Sequence, residues 1–428
     1  MKRRKFITAA GGLTGSLFLG PGMPAMASNN TSLKDIRNLV LRVDDDWMAI
    51  RELFLLSSDY CYLNTAGIGA VPALVINHTL SEWQRLEHNP SPGHDIQKWN
   101  ELKDLCSAIL GPGITRDEIA LTGNATEGIN IILNGLQLRK GDEIITSSHE
   151  HPALHIPLLN LHRLKSVNVR WFEPDRANGM NNVKRIESLL SRRTKLIFIS
   201  HTTCTTGQVL PVEAIGELAV SNNVLFALDG AQAAGNVPLN LKKWKVDFYA
   251  FSGHKWLLGP KRTGVLYVNA VSRDTLEPVT VGAYSDDGYN LADMSLKMNP
   301  SAQRFEYGTQ NEALFLGFRK AIELINTIGT GKIHEHNMNL AEQFYHELSS
   351  IRGAEILSPA EASFRSPIIS FRIKGIPCQK ISEHLGKRRI RVRIVTEGGL
   401  DAIRASFHLY NNENDIGKIL AALREIQQ

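Results

Sequence analysis

Cysteine is sparse in this chain and scattered along it. The four residues, Cys61, Cys106, Cys204 and Cys378, have no metal-type spacing, so no metal site is expected. Each sits in an apolar context, where a buried free thiol is the ordinary state, and no structural disulfide is expected. A surplus of one charge is missing too. Four charges of the formal +5 come from Lys2, Arg3, Arg4 and Lys5, and the remainder holds 44 basic against 43 acidic side chains. Nucleic-acid and membrane-surface partners require a clustered basic face, which this balance does not offer. Beyond the N-terminus no stretch approaches the about 18 apolar residues of a membrane span. Internal repeats and low-complexity tracts are absent. Gly67-Ile-Gly69 begins like a dinucleotide fingerprint, yet Pro72 stands where the third glycine belongs and no strand-to-helix unit precedes it. A nicotinamide-dependent oxidoreductase on a similar sheet is therefore a distant alternative.

What is present begins with an address. Arg3-Arg4 ahead of Phe6, a modestly apolar stretch to Leu19 and the small-residue signature Ala25-Met-Ala27 read as a twin-arginine signal over residues 1–27, cleaved near Ala27. The expected destination is the periplasm or the exterior, by a route that suits a protein folding around its cofactor before export. Residues 28–60 read as an N-terminal arm with an amphipathic helix around Trp47 to Leu56.

From there to about residue 295 short apolar runs alternate with helical periodicity. The runs are Glu118–Leu121, Glu143–Thr146, Val167–Trp171, Lys195–Ser200, Val224–Leu228, Asp247–Phe251 and Gly264–Val268. Near-continuous apolar strands separated by helices predict an α/β domain with a mostly parallel seven-stranded sheet, residues 61–295, whose ligands sit at the strands' carboxyl ends. Residues 281–300 lack periodicity and read as an active-site or interface loop. Residues 296–428 read as that loop's end, a long linker helix from about Ala313 and a smaller α+β C-terminal domain. Its strands are placed at Ile368–Ile373 and Ile390–Val395 and its final helix at Asp415–Ile426.

The chemistry concentrates at three of those strand ends. Asp229 follows Val224–Leu228, where a buried carboxylate requires a partner; a helix N-cap is its plainer reading. Lys255 comes 26 residues later, after the run ending at Phe251. An amine and a carboxylate are what a protein must supply to run amino-acid chemistry on pyridoxal 5'-phosphate: the lysine holds the aldehyde as a Schiff base, and the acid keeps the ring nitrogen protonated. Ser252 and His254 flank the lysine as phosphate donors. Ala125 and Thr126, in Leu121-Thr-Gly-Asn-Ala125-Thr126-Glu-Gly128, open a helix whose free amides favour phosphate. Gln232, three residues past Asp229, is a candidate partner for the cofactor's phenolic oxygen.

With those motifs in order, the chain resembles the class V aminotransferase superfamily of fold type I pyridoxal-phosphate enzymes, which includes cysteine desulfurases, isopenicillin N epimerase-like proteins and exported enzymes of siderophore maturation. The likeness runs from Tyr62-Leu-Asn-Thr-Ala-Gly-Ile-Gly69 to Arg404-Ala-Ser-Phe-His-Leu-Tyr410-Asn411. The resemblance implies that Ala125, Thr126, Ser252 and His254 bind phosphate and that Lys255 carries the cofactor. It further implies that His151 stacks on the ring and that Asp229 and Gln232 meet its nitrogen and phenolic oxygen. Thr309 is implied to reach the phosphate of a neighbouring subunit, and so a homodimer. Arg404 matches the arginine that clamps a substrate carboxylate, and Asn64 lies where the family lines its substrate pocket or, equally, forms a turn. Desulfurases carry a nucleophilic cysteine shortly before that arginine; from Gln379 to Arg404 this chain has none. The expected activity is of aminotransferase type on an amino acid or aminoacyl group, in tailoring of a peptide natural product such as a siderophore. Epimerisation and C–S lysis are the alternatives.

Overall fold

The computed structural model describes residues 47–90 and 93–426; the twin-arginine signal and the arm up to residue 46 lie outside them. Seven strands form the main sheet: β1 Ile119–Thr122, β2 Glu143–Ser147, β3 Asn168–Phe172, β4 Thr194–Ser200, β5 Leu225–Asp229, β6 Phe248–Ser252 and β7 Gly264–Val268. Their order is β1-β7-β6-β5-β4-β2-β3. All pairings are parallel except those of β7, which runs antiparallel to both β1 and β6. Strands β6 and β7 are buried along their whole length, as strands covered on both faces must be, which is why their sequences are unbroken apolar runs. Helices α1 Ala73–His88, α2 Ile96–Leu110, α3 Ala125–Gly135, α4 Pro152–Lys165, α5 Asn181–Glu187 and α6 Val212–Ser221 connect the strands or precede them. Two apolar clusters fill the domain, one around Ile199, Phe226 and Phe251 and one around Ile129, Phe198 and Leu266.

Helices α7 Glu312–Ile328 and α8 Thr330–Leu348 lead to a second sheet. Its strands β8 Ala354–Ile356, β9 Ile368–Ile373, β10 Arg393–Val395 and β11 Ala402–Ser406 are antiparallel in the order β8-β9-β11-β10. Helices α9 Cys378–Lys387 and α10 Glu413–Glu425 close it over a core that includes Phe344, Phe371, Ile381 and Leu420. Cys61 and Leu63 belong to this same core, because Cys61–Tyr62 pairs in parallel with Ile390–Arg391. The segment after residue 60 is thus tied to the small domain by a two-stranded pairing of its own, and β11 is brought against it by the Asn64 to Ser406 bridge.

Four expectations differ in detail. The helix anticipated over residues 47–56 ends at Arg51, where the chain turns so that the Ala73 amide reaches the Leu53 carbonyl at 2.8 Å. Residues 281–300 hold an exposed antiparallel ribbon, Asp286–Asn290 with Ser295–Met298. The long linker helix is two helices, broken at Gly329, whose φ of +104° no β-carbon residue adopts cheaply. The run 390–395 divides into two pieces that pair with different partners. The four cysteines are all buried and unpaired with one another.

Candidate active site

At the carboxyl ends of β5 and β6, the N-terminus of α3 and the edge of β11, a cavity of about 280 Å³ opens. Ala125, Thr126, His151, Asp229, Ser252, His254, Lys255 and Arg404 all line it. Residues drawn from five separate stretches of sequence are therefore brought to one place by the sheet topology. Asn124, Ala66, Gly67, Ala153, Ala231 and Arg393 complete the wall.

One end of the cavity is built for an anion. Asn124 caps α3, its Oδ1 accepting from the Glu127 amide at 2.9 Å, and the Ala125 amide donates to Ser252 Oγ at 2.9 Å. The serine hydroxyl is held against the helix N-terminus with its own proton available, beside the dipole's positive end. His254 Nδ1 is buried and has no partner among the described residues. The turn is pinned from behind by Gly264, where a β-carbon would stand 2.6 Å from the Asn124 Cα.

The middle of the cavity holds the amine and the acid. Asp229, at the last position of β5, is nearly fully buried, and its Oδ1 accepts from the Ala231 amide at 2.9 Å. Burial raises its pKa, with Lys255 and the Ala231 amide opposing. Burial likewise lowers the pKa of Lys255, against the pull of Asp229, and the nearby Arg404 and Arg393 lower it further. The directions agree physically: desolvation outweighs the attraction between the two groups and favours the neutral amine, which is the nucleophilic form. His151 caps α4, its Nδ1 accepting from the Ala153 amide at 3.1 Å. Burial and then Lys255 lower its pKa to about 4, so the ring is neutral and its free face is apolar.

The far end is cationic. Arg404 is buried, donating to the Cys204 carbonyl at 2.6 Å and to Asn64 Oδ1 at 3.4 Å, while its Nε is left without a partner. Burial, followed by Arg393, lowers its pKa to about 10. Arg393 pairs with Glu397 and keeps a buried Nη1 unpartnered. Three cavity residues, His254, Arg393 and Arg404, thus carry unused buried nitrogen, an arrangement that suits a ligand with anionic groups at both ends and costs free energy without one.

Three sequence-predicted residues fall elsewhere. Asn64 does not line the cavity; it reaches the site through Arg404 and through the Gly67 amide, which donates to its carbonyl at 2.9 Å. Gln232 stands behind the lining, donating to the Ala66 carbonyl at 2.8 Å and accepting from Trp256 Nε1 at 2.9 Å, and so braces the turn whose Ala66 and Gly67 form part of the wall. Thr309 is exposed on the single chain. Sequence reasoning missed Arg393, hidden inside an apolar run, and Gly69, whose β-carbon would meet the Lys255 carbonyl at 2.1 Å. The glycine-rich turn Ala66 to Gly69 was the available signal for close backbone approach.

The chain is similar to known proteins over most of its length. The family model for aminotransferase class-V matches residues 61–419. A probable cysteine desulfurase of Methanothermobacter thermautotrophicus is 30% identical over 413 residues, covering 91% of this chain and 99% of the relative. One of Pyrococcus abyssi is 27% identical, covering 90% and 98%. Among solved structures, the apo cysteine desulfurase of Thermococcus onnurineus superposes with a TM-score of 0.79 at 25% identity, covering 89% of this chain and 97% of its own. The cystine C–S lyase C-DES, in complex with its product cysteine persulfide, has a TM-score of 0.79 at 26% identity, covering 86% and 98%. A lysine-to-alanine variant of C-DES, with glycine covalently linked to its PLP cofactor, has a TM-score of 0.78 at 25% identity, covering 88% and 99%.

Proposed function

The chain belongs to the class-V aminotransferase family, and on that footing we propose that its cavity holds pyridoxal 5'-phosphate on Lys255 and acts at the α-carbon of an amino acid. The observation that carries this reading is the burial of Lys255 and Asp229 in one cavity whose end is a helix N-terminus with a poised serine. When bound, the cofactor supplies an aldehyde for covalent attachment and a cationic ring that draws electrons from the α-carbon. The N-terminus of α3 with Thr126, Ser252 and His254 would hold the phosphate. Asp229 would keep the ring nitrogen protonated, and the neutral His151 would stack on the ring. Arg404 takes the substrate carboxylate through its unpartnered Nε and orients the α-hydrogen toward Lys255, whose neutral amine removes it. Exclusion of water follows from the burial of all three groups.

Two exits follow that proton transfer. The relatives named as cysteine desulfurases and the C–S lyase neighbour favour loss of a β-substituent. An enzyme thiol does not take part: all four cysteines are buried, and burial raises the pKa of Cys204, the thiol nearest Arg404, to about 12. The leaving group therefore departs with its electron pair as a free species, and the protein acts as a lyase. Amino transfer is the second reading, favoured by a lysine that can return the proton from the same position without any further base. The N-terminal sequence supports an exported setting, tailoring of a peptide natural product such as a siderophore, and the exposed Thr309 supports a homodimer in which it serves the neighbouring cavity. The two exits separate on supplying an S-substituted cysteine alone. A lyase releases oxo acid, ammonia and thiol with no acceptor present; a transferase turns over only once an oxo acid is added, and absence of both outcomes with a panel of amino acids contradicts the proposal.

A further inference from the structure

Glu150 lies beside the candidate site and takes no part in the chemistry above. It stands between His149 and His151, wholly buried. Its Oε1 accepts from Ser147 Oγ at 2.5 Å, and its Oε2 accepts from Ser200 Oγ. Ser147 ends β2 and Ser200 ends β4. Ser200 is paired in register with Asp229 across β4 and β5, so this carboxylate hangs one strand pair from the acid that lines the cavity. The ionisable groups that reach it are Asp229 on β5 and the Cys204 thiol in the turn after β4. Burial raises its pKa to about 7, with the two serines opposing and Asp229 adding to the rise. A neutral amide would tie the same two hydroxyls without the desolvation cost of an acid, so the carboxyl group itself calls for an electrical explanation.

We propose that Glu150 is a positioning residue for the cofactor ring, fixing the strand ends beside His151 and Asp229 and adding a second negative charge on the side that Asp229 occupies. The inference rests on the reading of the cavity as a pyridoxal 5'-phosphate site. Once Glu150 is ionised, above about pH 7, its charge stabilises the cationic, protonated forms of the bound group, so removing it makes those protons easier to lose.

The test is a pH titration of the visible absorption band of the cofactor-loaded protein, for wild type, Glu150→Gln and Glu150→Asp, alongside thermal melts. The Gln variant is expected to bind the cofactor with its band midpoint lowered by about one pH unit, and the Asp variant to stay near wild type. A Gln variant whose melting temperature moves while its midpoint stays at the wild-type value overturns the proposal, because a merely structural brace predicts that pattern. Should the Gln variant not fold, Ser200→Ala removes one hydroxyl donor and leaves the acid easier to protonate. Its midpoint is expected to fall in the same direction by less, and an unchanged midpoint overturns the proposal equally. A wild-type protein that takes up no cofactor and shows no band sinks the reading of the cavity, an outcome distinct from any difference between variants.

Discussion

At the scale of single residues, the site depends on groups that burial has moved away from their ordinary ionisation. Lys255 is useful because a dry pocket disfavours its charge. Lys255→Arg puts a permanent cation there and offers no nucleophilic amine, and turnover is expected to fall by roughly 10³-fold or more, measured as product formation with cofactor in excess. Arg404 acts through a planar fork already held by the Cys204 carbonyl, which an ammonium cannot reproduce. Arg404→Lys is expected to raise KM by roughly tenfold or more with a smaller change in kcat, read from initial rates. His151, with its pKa at about 4, is neutral throughout the physiological range. A pH–rate profile with an ionisation between pH 6 and 7 that vanishes in His151→Gln would contradict its assignment as a neutral stacking ring.

At the scale of elements, the cradle is as good as the contact between α3 and the strands behind it. Gly264 begins β7 against the Asn124 backbone, and Gly128 places α3 where a β-carbon would stand 2.9 Å from the Ala250 side chain. Gly264→Ala is expected to cost about 1–3 kcal/mol of stability and to weaken cofactor binding by displacing the helix N-terminus, checked by thermal melts and by absorbance titration with the cofactor. Most of this scaffold was readable beforehand. Seven apolar runs became seven strands with shifts of a residue or so; burial leaves six of them little choice of composition, while the run read as Val167–Trp171 emerges as the largely exposed edge strand Asn168–Phe172. The 286–298 ribbon was not readable, since its side chains are exposed and carry no alternation. Gly329 lies inside the stretch read as one linker helix, and its φ of +104° breaks that helix in two. Arg393 escaped notice inside Ile390–Val395 because periodicity reports which residues are apolar and cannot say that one cation among them faces a cavity. The hold of Gln232 on the Ala66 carbonyl was not readable, since that partner is 166 positions away and such pairings are set by topology alone.

At the scale of the whole molecule, two linkages follow. A carboxyl group whose folded pKa is raised binds its proton more tightly than the unfolded chain does. Its stabilising contribution is therefore complete at low pH and is lost as pH rises through the folded value. For Glu150 that window runs from the ordinary carboxylate range to about 7. Wild type is expected to lose up to roughly 3 kcal/mol across it relative to Glu150→Gln, seen as melting curves that separate as pH rises from 5 to 8. The second linkage rests on the proposed homodimer. Thr309→Ala is expected to loosen cofactor binding without altering the isolated chain's fold, and dilution of wild type to monomer is expected to do the same. Sedimentation run beside absorbance checks both.

The central claim is that one amine, Lys255, carries the cofactor. Reduction of the pyridoxal 5'-phosphate-loaded protein with borohydride, followed by peptide mass mapping, tests it most directly. A single pyridoxyl adduct on the peptide containing Lys255 is the predicted result; an adduct on another lysine, or none from a soluble, folded protein, contradicts it.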